Sequence, residues 1–264
     1  MKRFHEAPSC MFNEVQEYTD GDYALVHLLP RSEYFDAFRQ AIEQGREVIL
    51  DNSLYELGTA FSGDEYVNWI NRLHPAWFIV PDAWHDSVET IEMFDQFEDD
   101  YEDEIDTSIK WIGVAQGKTI AEVKASYRAL EPRCDMIAFN FDFKDFFRSM
   151  TGIDHDSDRL DMSLGRVLML SILDQQGVIN RNKPHHLLGC GFPGEYKIAK
   201  EKFPWVYSMD TCHPVITGYA GFTYDGDDKF CMKSNVKMES IMFDQLTLLQ
   251  KANIFANLED KIWQ

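Results

Sequence analysis

Seven short apolar runs, each followed by a further patterned stretch, limit what this chain can fold into more than any other feature. The runs are YALVHLLP (23–30), EVILDNS (47–53), WFIVPDAW (77–84), SIKWIGVAQG (108–117), CDMIAFNFD (134–142), HHLLGCGFP (185–193) and WVYSMDTC (205–212). Between them lie helix-like segments: SEYFDAFRQAIEQG (32–45), GDEYVNWINRLHP (63–75), DSVETIEMFDQFEDDYED (86–103), TIAEVKASYRAL (119–130), MSLGRVLMLSILDQQG (162–177) and GEYKIAKEKF (194–203). Strand–helix units joined by short links imply parallel strands, because each helix carries the chain back to the same end of the sheet. Seven or eight such units suggest closure into a (β/α)8 TIM barrel. GYAGFTYD (218–225) is expected as the eighth strand or as a hairpin, and 235–258 as a long terminal helix. The least patterned segment, about 143–161, is expected as a long loop at the catalytic face, a mobile lid. An open doubly wound sheet is the alternative. It would normally carry a glycine-rich phosphate turn after an early strand, and neither a G-x-G-x-x-G nor a Walker pattern occurs.

A length of 264 residues suits one such barrel, so a single domain over 1–264 is expected. With 45% hydrophobic residues the chain can bury a large core, which excludes disorder. No apolar run approaches the roughly 20 residues of a membrane span, and the first residues, MKRFHEAPSCMF, have no signal-peptide core. Cys10, Cys134, Cys190, Cys212 and Cys231 are widely spaced, with no C-x-x-C pair. That spacing signals neither a zinc knuckle nor a disulfide framework, and a reducing cytoplasm fits it. The formal net charge of −20 argues against indiscriminate coating of nucleic acid, although it leaves room for a local basic groove. Much of the excess lies in FEDDYEDEID (97–106), expected as a solvated helix end, with a protein-partner surface as the alternative.

The expected strands end in polar or glycine clusters: Asp51-Asn52-Ser53, Pro81-Asp82, Gln116-Gly117, Asn140 with Asp142, Gly189-Cys190-Gly191, and Asp210. In a barrel these ends converge on one mouth, where strands hold side chains rigidly and loops admit substrate. Carboxylates gathered there against apolar residues are partly desolvated, which can keep one protonated while another stays ionised. Each residue also has a structural reading. Asp51, Asp82 or Asp210 may cap a following helix, although Asp86 is the better cap after Asp82 and no clear helix follows Asp210. Gln116-Gly117 may be an ordinary turn, and Gly189 and Gly191 packing glycines. His185 and His186 are expected to be structural, and His213 has a moderate claim through its nearness to Asp210.

At these residues the sequence resembles the tRNA-guanine transglycosylase superfamily, barrel enzymes that exchange guanine for a 7-deazaguanine. ILDNSLYELG (49–58) is similar to the family's D-S-G-G-Y-Q segment, aligning Asp51 with its acid and Tyr55 with its base-stacking aromatic. IVPDAWHD (79–86) resembles the segment whose aspartate binds the guanine edge, pointing to Asp82, and IGVAQGKTIAEVKASY (112–127) the I-x-Q-G block, with Gln116 and Gly117 reading the base. IAFNFD (137–142) falls at a strand end that contacts the base, bringing in Asn140, and HLLGCGFPGEY (186–196) resembles the L-M-G-V-G-x-P-E block, bringing in Gly189. VYSMDTCHPVITGYAGF (206–222) resembles the F-D-C-V-x-P-T-R segment and aligns Asp210 with the nucleophile. The resemblance spans roughly 23–222, six blocks in family order.

The departures are informative. The family's C-x-C-x-x-C and distant histidine are missing: only Cys231 lies downstream of Asp210 and no histidine follows His213, so no metal is expected. The arginines after the nucleophile are missing too, and Asn52 and Leu54 replace small residues of the block. Zinc and arginines serve tRNA in the family. The chain therefore looks like the short, phage-type (DpdA-like) members that place 7-deazaguanines into DNA, acting in the host cytoplasm if phage-encoded. Lys118, Lys144, Arg148, Arg159 and Lys229 are the expected cations of a local groove. A homodimer is compatible with the sequence.

The resemblance implies that Asp210 attacks C1′ and expels guanine, while Asp51 donates a proton to the leaving base and takes one from the incoming base. Asp82 and Gln116 would hold the purine edge and Tyr55 its face, with no cofactor. A carboxylate nucleophile suits the cation-like sugar of the transition state. The alternatives are a tRNA-guanine transglycosylase, an N-glycoside hydrolase using the same acids, and a non-catalytic partner subunit.

Overall fold

Continuous apolar runs become strands buried on both faces, as the crossovers of a parallel sheet demand. In the computed structural model, which describes residues 1–224 and 235–263, these strands are β1 (Lys2–His5), β2 (Asp22–Leu25), β3 (Val48–Asp51), β4 (Trp77–Ile79), β5 (Lys110–Ala115), β6 (Met136–Phe139), β7 (His185–Leu187) and β8 (Val206–Thr211). Met136, Ile137, Ala138 and Phe139 have no exposed surface, and neither do Val48, Ile49 and Leu50. The strands form one sheet in the order β1-β8-β7-β6-β5-β4-β3-β2, a (β/α)8 barrel. A parallel bridge between Phe4 and Gly21 sets β1 beside the residue that leads into β2.

Helices follow the strands as the periodicity requires. Ser87–Tyr101 starts at Asp86, whose carboxylate accepts from the Val88 and Glu89 amides, so Asp86 rather than Asp82 is the cap. Ile120–Leu130 starts with a capping box between Thr119 and Glu122. Both devices satisfy amides that the first helical turn leaves without partners. None of the described helices is long and apolar enough to cross a membrane.

The eighth strand differs from expectation. It is β1, at the start of the chain; of the region expected to supply it, 218–225, the first two residues end the helix His213–Tyr219, and 220–224 form neither strand nor helix. Four residues, KRFH, are too short for a visible period, yet Phe4 and His5 are buried against β8, in register with Asp210 and Thr211. Gly218 explains the helix: a Cβ there would lie 2.5 Å from the Ile254 backbone nitrogen, so the helix packs at glycine distance on Leu248–Leu258. Asp225, the last residue of that expected strand, lies outside the described residues.

Two other segments differ from expectation. The stretch 143–161, expected as a loop, contains the helix Lys144–Thr151 and the start of Asp158–Gln175. Its charges masked an apolar face, since Phe143, Phe146 and Phe147 recur at helical spacing and are buried. The expected terminal helix over 235–258 is broken into Met238–Ile241 and Leu248–Leu258. Thr247 restarts the chain with a capping box to Gln250.

Packing divides the chain into two compact units. One comprises 1–21, 141–171 and 187–264; the other comprises 22–140 and 172–186.

Candidate active site

In the unit built from 22–140 and 172–186, side chains from four consecutive strand ends join into one buried hydrogen-bonded chain. Asn52, just beyond β3, donates through Nδ2 to Asp82 Oδ1 at 2.7 Å and to the Val80 carbonyl at 3.0 Å. Gln116, just beyond β5, donates through Nε2 to Asp82 Oδ2 at 2.7 Å. Its Oε1 accepts from Asn140 Nδ2 at 2.7 Å and from the His85 amide at 3.1 Å. These contacts fix both amide orientations, since one end of Gln116 must donate and the other accept. Asn52, Asp82, Gln116 and Asn140 are each 3% exposed or less.

Burial raises the Asp82 carboxyl from 3.8 to about 6, against the opposing hydrogen bonds from Gln116 and Asn52. Because its folded value lies above its unfolded one, Asp82 favours the fold most below pH 4 and loses that contribution as pH rises through about 6. A buried carboxylate is therefore held under strain, which a ligand with N–H donors would relieve. Asp82, Gln116 and Asn140, three of the expected base-binding residues, are thus brought together. Asn52, in the sequence only a departure from the family block, joins them.

Asp51 ends β3 with its carboxylate held at both oxygens. The Tyr23 hydroxyl donates to Oδ1 at 2.9 Å, and the Ser53 amide to Oδ2 at 2.7 Å. Ser53 itself sits in the left-handed region at φ 58°, and His85, beside Asp82, does so as well at 58°. Non-glycine residues in that region store strain and cluster at functional sites. Tyr23 stacks on His186, with centroids 6.0 Å apart and planes 12° apart. Sequence reasoning missed Tyr23. The available signal was strand alternation, because Tyr23 pairs with Ile49 in register and shares a face with Asp51 two residues on.

Tyr55 is brought to the surface rather than into the buried chain. It is 61% exposed on the short helix Leu54–Leu57, its ring 6.0 Å from that of Trp84. Gly117 has a packing role: at φ 149°, a Cβ would lie 2.7 Å from Glu122 Cβ and 2.8 Å from the Val123 nitrogen. His185 is structural as expected, with Nε2 at 3.0 Å from the Tyr127 hydroxyl and burial lowering its pKa to about 4.

In the other unit, Asp210 lies on β8 and is 5% exposed. The Gly189 amide donates to its Oδ1 at 2.8 Å. Gly189 has φ 61°, and a Cβ there would press on the Phe141 ring at 3.3 Å, so glycine is needed to present that amide. A helix does follow Asp210, but Thr211 rather than Asp210 bonds its start, accepting from the His213 amide at 3.0 Å. His213 is committed to Tyr224 and Thr217, at 2.6 and 3.2 Å.

The expected groove cations fare worse. Lys144 pairs with Asp158, and Arg148 with Asp154, Asp158 and Asp161, at 2.7–3.1 Å. With their charges answered inside the segment, these two side chains offer little to phosphates. Arg159 approaches Asn235 at 3.4 Å. Lys118 donates its amide to Glu122. Lys229 and Cys231 lie outside the described residues. Among the described residues no group of three His, Cys, Asp or Glu side chains is placed to hold a metal ion.

Tyr23→Phe should keep the ring stacked and the fold intact while removing one hydrogen bond to the Asp51 carboxyl, a contribution of about 0.5–1.5 kcal/mol. If Asp51 transfers protons, kcat should fall by up to about tenfold. Steady-state kinetics with a parallel thermal melt checks this; an unchanged kcat would separate Tyr23 from the chemistry.

A scan against protein-family models finds no match for this chain, and a search of curated proteins finds none either.

Proposed function

We propose that this protein is a base-exchange transglycosylase that replaces guanine in DNA by a 7-deazaguanine derivative through a covalent aspartyl-glycosyl intermediate. The observation that carries the reading is the buried Asn52–Asp82–Gln116–Asn140 chain. A carboxylate in a dry, amide-oriented setting suits the adjacent N1–H and N2–H donors of guanine. A 7-deazaguanine keeps those donors and differs at position 7, so a reader of that edge accepts both bases.

Asp210 would attack C1′ as the bond to guanine breaks, and Asp51 would supply the proton the leaving base takes up. In the second half the incoming base gives a proton to Asp51 and displaces Asp210 from C1′, restoring both acids. The first half needs a nucleophilic carboxylate held in place, and the Gly189 amide at 2.8 Å supports that role for Asp210. Tyr55, exposed beside Trp84, would stack on a base. The enzyme would work in the cytoplasm.

Recognition of guanine through Asp82 requires the ionised carboxylate. Affinity for free guanine or a 7-deazaguanine should therefore rise as pH climbs toward about 6, where Asp82 ionises, and level off above it. Calorimetric titrations from pH 5 to 8 check the sign. Affinity falling over that window would mean that Asp82 binds as the neutral acid.

DNA is preferred over tRNA because the sequence lacks the zinc cluster and the arginines after Asp210. In duplex DNA the guanosine must first leave the stack. With a net charge of −20 and with Lys144 and Arg148 in ion pairs, binding should involve few phosphates and show a shallow salt dependence. Labelled guanine or 7-deazaguanine offered with DNA and tRNA in parallel tests the assignment. Label in DNA is the expected result. Label only in tRNA would overturn the polymer, and free base released without incorporation would indicate a hydrolase.

A further inference from the structure

The loop that presents the Gly189 amide to Asp210 is bolted to a buried ion pair that the proposed reaction does not use. Arg166 and Glu195 are 0% and 1% exposed. Arg166 Nε donates to Glu195 Oε1 at 2.7 Å, while its Nη1 and Nη2 donate to the carbonyls of Leu188 and Gly189, both at 2.6 Å. Glu195 Oε2 accepts from the Ser163 hydroxyl at 2.6 Å and from the Gly191 amide at 3.1 Å. Gly191 has no room for a side chain, since a Cβ would lie 2.4 Å from Ser163 Oγ. The pair thus holds the loop by two carbonyls and one amide, and another amide of the same loop, that of Gly189, points to Asp210.

A buried ion pair is a poor way to gain stability, because apolar residues of similar volume commonly do as well or better. Here its hydrogen bonds converge on a strand-end loop. We propose that Arg166 and Glu195 are positioning residues that set the Asp210 carboxylate for attack by fixing the Leu188–Gly191 backbone. This rests on the reading of Asp210 as the nucleophile. The guanidinium fork matters as much as its charge, because one planar group must reach a carboxylate and two carbonyls, which an ammonium cannot span in the same geometry.

The test pairs kinetics with a spectroscopic signature. Arg166→Met with Glu195→Leu removes both charges while keeping volume. In the folded double variant kcat should fall about 10²-fold, the scale of a misplaced reacting group, with KM for the base within about threefold. Arg166→Lys should remain impaired. A folded double variant, or Arg166→Lys, turning over at the wild-type rate would overturn the proposal. Should the variants not fold, the wild-type protein still decides: the Gly189 amide proton should resonate downfield, exchange slowly, and move upfield in Asp210→Asn. A Gly189 amide that exchanges as an open loop would overturn it. If the wild type proves unable to exchange bases, the reading of Asp210 fails, while the amide signature in wild type and in Arg166→Lys still tells whether the pair sets the Gly189 amide on Asp210.

Discussion

Asp210→Asn should abolish base exchange, by at least about 10⁴-fold in kcat, while leaving the protein folded. The substitution changes almost no volume. An asparagine Oδ1 can keep the hydrogen bond that the Gly189 amide now makes at 2.8 Å, so the β7–β8 strand ends should retain their arrangement. What is lost is the negative charge. A neutral amide oxygen is a poor nucleophile toward a sugar carbon and cannot form the glycosyl ester that divides the exchange into two displacements. A thermal melt within a few degrees of wild type, together with absent label incorporation, is the expected pair of results. Wild-type turnover by the folded variant would remove Asp210 from the chemistry.

The second large effect belongs to Asp51→Asn, with a loss of about 10²–10⁴-fold, the usual contribution of a general acid–base group. Asp51 is clasped by two donors, the Tyr23 hydroxyl and the Ser53 amide. An asparagine can accept only through its oxygen, so its NH₂ must face one of those donors, and it carries no proton to exchange. The nucleophile stays in place, so slow departure of the base should be followed by an intermediate that persists, because the incoming base cannot be deprotonated. Single-turnover kinetics separates the two halves. A loss of less than about threefold, far below the range of acid–base catalysis, would make Asp51 a structural residue.

The strand-end positions of Asp51 and Asp210 are legible in the sequence because each ends an apolar run, and a strand end needs no long-range information to be found. Asp82, Gln116 and Asn140 were legible for the same reason, and the buried chain that joins them is what strand ends in register produce. The residues that orient these groups were not legible. Tyr23 reaches Asp51 from a neighbouring strand 28 positions away, and Arg166 reaches Glu195 across 29 positions. Tyr23 opens an apolar run and Arg166 lies in a helix-like one, but neither run names the distant partner, which only strand register or helix packing brings near. The first strand is not legible because KRFH is too short for a period to show, although burial of Phe4 and His5 marks it plainly in the fold. The helix Lys144–Thr151 was hidden by its charges, and those charges explain why two expected groove cations are committed elsewhere: Arg148 is surrounded by three aspartates of the same segment. A count of positive residues cannot distinguish a cation offered to solvent from one already paired.

Exchange through an ester on Asp210 can be observed directly. The enzyme is incubated with guanine-containing DNA and no incoming base, quenched in acid, and digested with protease and nuclease. The peptides are then mapped by mass spectrometry. The peptide containing Asp210 should carry the mass of a deoxyribose residue joined through C1′, the modification should be missing in Asp210→Asn, and adding a 7-deazaguanine before the quench should discharge it into DNA. An adduct on another residue, or base exchange at full rate with no adduct on any peptide, would contradict it.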